Sequence, residues 1–286
     1  MLGPRDLVLC SGTMLWAPFE DMLLAASAGG FRGLTLWPHD YQRAHESGLS
    51  DAEMRHMLDD HGIEIADLDP LLSWIPGEEI PERNGEIVFA SEEDFYAIAD
   101  ALGGSSLNLA QGFGQGTPLD ILAEAFAGVC DRAADHGLKV TLEYLPWSSV
   151  PDARTALEVV DRANRANGKV LVDTWHHFRG SGDPEQLRAL PGEKIGSTQI
   201  SDAPSKPAED LSDETMAARL LPGEGDIPLV EWLRILDENG LQVPIGVEVF
   251  SRELDRLPPV EVGRLAGESA RRLLAEARGR RPDGLR

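Results

Sequence analysis

Cysteine is nearly absent from this chain: Cys10 and Cys130 are the only two in 286 residues. Two are too few for a disulfide scaffold. One falls in an expected strand and the other in an expected helix, so both read as buried thiols of a reducing compartment, the cytoplasm. Long apolar runs are missing too. No stretch approaches the roughly 18 to 20 residues that a membrane span requires, and the start MLGPRDLVLCSGTMLW has no cationic segment followed by a long apolar one. Neither a membrane segment nor a targeting signal is expected. Positive charge is scarce: 26 basic residues face 49 acidic ones, for a net charge of -23. Such a surface repels phosphate backbones and anionic headgroups, which excludes nucleic acid as an expected partner and leaves small molecules.

What is present is an alternation of short apolar runs with amphipathic stretches. Strands are expected at 6–11, 33–37, 63–68, 106–110, 140–145, 170–174, 196–200 and 245–250. Between them lie helical patterns such as 118–136, where Ile121, Leu122, Ala125, Phe126 and Val129 recur at the spacing of one buried face. Ser50, Ser91, Pro118 and Pro151 mark helix starts, and the pairs His61-Gly62, His136-Gly137 and Asn239-Gly240 mark stops. With 42% hydrophobic residues, the chain can bury a large core. Eight strands alternating with helices over this length predict one closed (β/α)8 barrel, because an open sheet of eight would leave two edges to protect. The barrel is expected to span 1–278, with a frayed tail at 279–286. Two connections are long, 69–90 after the third strand and 203–226 after the seventh. Both leave the face where such barrels place their chemistry, so they are expected to be lids or binding loops. The oligomeric state is not written in the sequence, and a homo-oligomer stays open.

Four strands of the second half each end on a metal-capable side chain: Glu143 in KVTLEYLP, Asp173 in KVLVDTWHH, Gln199 in IGSTQISD and Glu248 in PIGVEVFS. Singly, a carboxylate at a strand end is usually a helix cap or a surface group. Four at equivalent positions in consecutive βα units share one axial region instead. Carboxylates gathered there repel one another, and a divalent cation is the simplest compensation. Three carboxylates and an amide oxygen suit Mn2+ or Mg2+, with room for Co2+, better than a structural zinc site.

The order Glu at strand five, Asp-x-x-His at strand six (Asp173 to His176), Gln-x-x-Asp at strand seven (Gln199 to Asp202) and Glu at strand eight resembles the xylose isomerase-like superfamily of sugar phosphate isomerases and epimerases. The resemblance spans nearly the whole chain. That superfamily includes ketose 3-epimerases, hydroxypyruvate isomerases, inosose dehydratases and 3-dehydroshikimate dehydratases. The resemblance implies that Glu143, Asp173, Gln199 and Glu248 bind the metal and that His176 and Arg219 contact substrate. Gln199 stands where many epimerases carry His, whereas Gln is familiar among the dehydratases. The apurinic endonucleases share the barrel, but they use several metals with many more histidines and an electropositive groove, against seven His and an acidic balance here.

His176 sits three residues past Asp173, on what reads as the loop above the metal, where a proton-transfer role fits. Arg219 precedes the turn LLPGEGD, and an arginine there can grip a carboxylate, a phosphate or ring oxygens. Trp16, Trp37, Trp74, Trp147 and Trp175 all fall at or just past strand ends and are expected to wall a pocket for a substrate with a flat or ring-shaped face. His39, Gln111 and Arg252 are weaker candidates for polar anchors. The chemistry this predicts is proton abstraction beside a carbonyl through a metal-stabilised enediolate, with Glu143 and Glu248 as bases on different sides of the mouth. The outcome is isomerisation or epimerisation of a sugar. Expulsion of a hydroxyl from a cyclic keto-polyol or keto acid, with His176 as acid, would make a dehydratase instead. A non-catalytic small-molecule-binding barrel is the third reading.

Overall fold

A computed structural model of the protein describes residues 2–84 and 87–279. Beyond Gly279, the expected tail lies outside the described residues. Among them, eight parallel strands close into a barrel in chain order: β1 (Leu7–Leu9), β2 (Gly33–Leu36), β3 (Glu64–Leu71), β4 (Ser106–Ala110), β5 (Lys139–Glu143), β6 (Gly168–Asp173), β7 (Ile195–Ile200) and β8 (Ile245–Val247). Helices cover the outside, and the apolar core fills the layer between them and the barrel wall.

The sequence punctuation is realised locally. Ser50 and Ser91 cap the helices α3 (Asp51–His61) and α4 (Glu92–Leu102), accepting from the backbone N–H of Glu53 and Asp94. Gly62 and Gly103 end them in the left-handed conformation. Two strand ends differ most from the sequence expectation, by three residues each. β3 runs on to Leu71, with a register shift against β4 between Leu68 and Leu71. β8 is three residues long rather than six, because after Glu248 the backbone partners change: Val249 N–H donates to Thr13 Oγ1 at 3.0 Å, and Phe250 C=O accepts from Arg219 N–H at 2.9 Å.

The barrel closes where the first helix, α1 (Phe19–Gly29), crosses the last, α11 (Pro259–Ala277). Backbones touch at this crossing. A Cβ on Gly263 would lie 1.9 Å from Ala25 O, and one on Gly267 would lie 2.1 Å from Gly29 O. Helix propensity alone would make Gly263→Ala stabilising by about 1 kcal/mol. The clash reverses the sign, and the substitution is expected to lower unfolding stability by about 1–3 kcal/mol in urea titration. A neutral or stabilised variant would show the crossing to be looser than described.

Candidate active site

The four strand-end side chains meet at the C-terminal mouth of the barrel. Glu143 is the last residue of β5, Asp173 the last of β6, Gln199 the fifth of β7, and Glu248 follows β8 directly. Asp173 pairs in register with Gln199, and Gln199 with Gly246, which sets the spacing around the rim. All four are buried. Each of the three carboxylates is held by a neighbouring group through one oxygen. Glu143 Oε2 accepts from Asn108 Nδ2 at 2.9 Å, and Asn108 is steadied by Thr141 Oγ1 at 3.1 Å. Asp173 Oδ1 accepts the backbone N–H groups of Trp175 and His176 at 2.6 and 3.1 Å. Glu248 Oε1 accepts from Gln199 Nε2 at 3.2 Å. Gln199 Oε1 has no partner among the described residues, although it is buried.

That Asp173 cap also explains where His176 goes. The sequence expectation put His176 on a loop; instead the capped chain enters a short helix, α7 (Thr174–Arg179), directly from β6. His176 Nε2 then lies 3.5 Å from Glu143 Oε1 and 3.9 Å from Asp173 Oδ2. Glu143, Asp173 and His176 offer ligand atoms within 4.8 Å of one another, a group able to hold a metal ion. The orphaned Gln199 oxygen and this oxygen-rich donor set fit a hard or borderline divalent cation.

Arg219 departs most from the sequence reading. It is not a loop arginine free to grip an anion, for it is 2% exposed and its guanidinium lies inside the cluster. Nη1 donates to Asp173 Oδ2 at 2.8 Å and to Glu248 Oε2 at 3.3 Å, and Nε donates to Thr215 O at 3.0 Å. Its face rests on the Trp175 and Phe250 rings, 5.1 and 4.9 Å from their centroids. Asp202 builds the base of the 203–226 loop that delivers it, accepting the N–H groups of Ala203, Gly223 and Ile227.

These surroundings split the acidities. Burial and the nearby Asp173 charge push the Glu143 carboxyl up to about 8. Burial also lifts Glu248 well above its ordinary range, against the pull of Arg219. Burial would raise Asp173 as well, but the Arg219 charge and hydrogen bond and the His176 backbone N–H outweigh it and hold this carboxyl low. Burial lowers His176 to about 3, so its imidazole is neutral at physiological pH.

A cavity of about 120 Å3 lies against Glu143, His176, Arg219 and Glu248, beside an outer lobe of about 520 Å3 with which it shares Pro70, Leu72, Thr215 and Met216. Trp37 and Trp147 line both lobes. The other expected wall residues sit elsewhere. Trp74 is turned into the core, its Nε1 donating to Ala110 O at 3.0 Å and its ring edge-on to Phe126. Trp175 is wholly buried under Arg219 and His176. Trp16 is 40% exposed beside His39. His39 bonds Leu15 O and Asp40 and borders a separate cavity. Gln111 clamps loops, bonding Glu78, Thr117 and the Ser149 N–H. Arg252 is a surface residue paired with Asp213. Both long connections do supply the outer wall, through Leu72, Ile87 and Phe89 from 69–90 and through Leu211, Ser212, Thr215 and Met216 from 203–226. Sequence reasoning missed Asp69, Asn108, Phe113 and Phe250. Asp69 lines the inner lobe with Oδ2 unpartnered, and burial raises its carboxyl well above the usual range. Its signal was present, a carboxylate ending the apolar run of strand three.

The family model described as xylose isomerase-like TIM barrel matches residues 23–276. The chain belongs to the xylose isomerase-like TIM barrel family. Within it, the 3-dehydroshikimate dehydratase of Pseudomonas aeruginosa is 30% identical over 251 residues, which cover 85% of this chain and 37% of that protein. The inosose isomerase of Bacillus subtilis is 32% identical over 145 residues, 50% of each chain. This chain thus matches between about a third and a half of the length of these curated relatives. A crystal structure of the IOLI protein with a bound zinc atom shares the fold at a TM-score of 0.82 and 20% identity, over 96% of this chain and 99% of that one. Both curated relatives are enzymes by name. No helix among the described residues is long and apolar enough to cross a membrane.

Proposed function

We propose that this family member is a divalent-metal-dependent isomerase or epimerase that moves a proton on a carbon beside a carbonyl. The observation that carries this is the buried group of Glu143, Asp173 and His176, which could hold a metal ion, together with the buried Gln199 amide oxygen left unpaired on the neighbouring strand. Glu143, Asp173, Gln199 and Glu248 would hold the cation, Mn2+ or Mg2+ by donor type and Co2+ next, with His176 within reach. When bound, the cation supplies electron withdrawal from a carbonyl and its neighbouring hydroxyl, which acidifies the C–H bond between them. The chain's own groups do the rest. Glu143 and Glu248 come from strands three apart in the barrel order, so one carboxylate can take a proton on one face while the other returns it on the opposite face. Asn108 and Gln199 aim these two carboxylates, and neutral His176 stands beside Glu143 as a hydrogen-bond partner for a substrate oxygen. The burial of the whole cluster strengthens the electrostatic interactions among these groups.

Dehydration is the second reading, favoured by the 85% of this chain that aligns with a dehydratase. The acid that protonates a leaving hydroxyl in that case is a raised carboxyl such as Glu248 rather than His176, whose imidazolium is not populated. Incubating Mn2+-loaded protein with candidate cyclic and acyclic hydroxyketones in heavy water tests both. Deuterium in recovered substrate supports enolisation, and loss of water indicates a lyase. Binding with neither outcome, or exchange undiminished after chelation, would remove the metal-dependent enzyme reading.

A further inference from the structure

The outer lobe differs in character from the polar floor beneath it. Its wall is made by Trp37, Leu72, Phe89, Phe113, Trp147 and Met216, with Ser212 and Thr215 the only hydroxyl side chains among the lining residues. Phe89 and Phe113 pack edge to face at 5.4 Å across its rim, and Phe113 remains 45% exposed. Among the described residues, the only cationic side chain lining either lobe is Arg219, and its guanidinium is already committed to Asp173, Glu248 and Thr215. Arg252, two residues past Phe250, is paired with Asp213, and Arg179 with Glu214. The helix whose start borders the lobe, α9 (Leu211–Ala217), offers no anion seat either. The Asp210 carboxylate already accepts its first amides, Ser212 N–H at 3.0 Å and Asp213 N–H at 3.2 Å. Among the described residues, a phosphate entering this mouth would meet an apolar wall, a carboxylate floor and no free donor cluster, and would lose its hydration without replacement.

We propose that the site takes an uncharged α-hydroxycarbonyl compound whose ring or hydrocarbon body fills the outer lobe, and that it discriminates against phosphorylated substrates. The inference rests on the enolisation reading for the seating of the hydroxycarbonyl head in the inner lobe. The body's place rests on the wall alone. About 520 Å3 is within the usual range of a pocket for a whole small ligand, more than a bare three- or four-carbon sugar needs above a head already held in 120 Å3.

Isothermal titration of the full chain, with and without Mn2+, compares 2-hydroxyacetophenone, dihydroxyacetone and dihydroxyacetone phosphate. The aryl ketone is expected to bind at least about tenfold more tightly than either of the others, the gain of burying one ring face. In Phe113→Ser, which alters a half-exposed position and so spares the fold, the preference for the aryl ketone over dihydroxyacetone should fall about fivefold or more. Equal or tighter binding of the phosphate, or an unchanged preference in both Phe113→Ser and Leu72→Ser, overturns the proposal. Deuterium exchange in the same samples separates it from the reading beneath it. Tight aryl ketone binding without exchange keeps the apolar substrate class and removes the enolisation, while exchange confined to the phosphate does the reverse.

Discussion

Glu143→Gln should lower solvent-deuterium exchange by about a thousandfold, the usual loss when a positioned base is removed. The replacement is isosteric, and its side-chain oxygen can still accept from Asn108, so packing at the rim is kept. What disappears is the titrating oxygen beside His176 and Asp173. The carboxyl has been pushed up to about 8, so below that pH a cation must displace a proton to bind. In the wild type, Mn2+ affinity should therefore rise with pH and level off above about 8; in Glu143→Gln it should be weaker and lose that step. Folding is linked with the opposite sign. The unfolded chain releases this proton near 4.5 and the folded chain only near 8, so the metal-free protein becomes less stable as pH rises through that window. The variant should lack this contribution. Exchange within tenfold of wild type would take Glu143 out of the proton path and leave Glu248 as the base.

Arg219→Met should destabilise the metal-free protein by about 3–5 kcal/mol at pH 8, the cost of leaving buried carboxylates without their partner. Methionine keeps the apolar contact with Trp175 and Phe250, which isolates the charge. Asp173 loses a 2.8 Å ion pair, Glu248 one of 3.3 Å, and Glu143 a nearby positive charge. Protonation relieves the repulsion, so the deficit should shrink toward pH 5.5. Saturating Mn2+ should restore part of it at pH 8 by placing positive charge among the same oxygens. Thermal unfolding at both pH values, with and without the metal, checks all three expectations. An unchanged melting temperature at pH 8 would mean that the carboxylates are already neutral there and that Arg219 serves packing alone.

The site was unevenly legible beforehand, and the differences have physical causes. Glu143, Asp173, Gln199 and Glu248 could be placed because each stands at or beside the C-terminal end of an apolar strand, and strand ends of a barrel share one rim. Arg219 could be placed near the mouth but not assigned its partners, since 46 residues separate it from Asp173 and 29 from Glu248. His176 was tied to Asp173 by spacing, yet its entry into α7 depended on Asp173 capping that helix, a bond visible only in three dimensions. The tryptophans misled by position. Residues just past a strand end can turn toward the mouth, as Trp37 and Trp147 do, or into the layer behind it, as Trp74 does. Which way they turn is set by the neighbours they pack on.

By itself, the sequence determined the barrel, the identity of its eight strands, the helix caps and the placement of oxygen-bearing side chains at the C-terminal ends of four strands, because these follow from periodicity, turn chemistry and position along each strand. Only the tertiary structure decided which carboxylates share Arg219, which oxygens stay free, how burial pulls Glu143 and His176 in opposite directions, and which aromatics face the cavity. Those outcomes depend on distances between segments far apart in the chain and on how completely water is excluded, and neither quantity is encoded in any local pattern of residues.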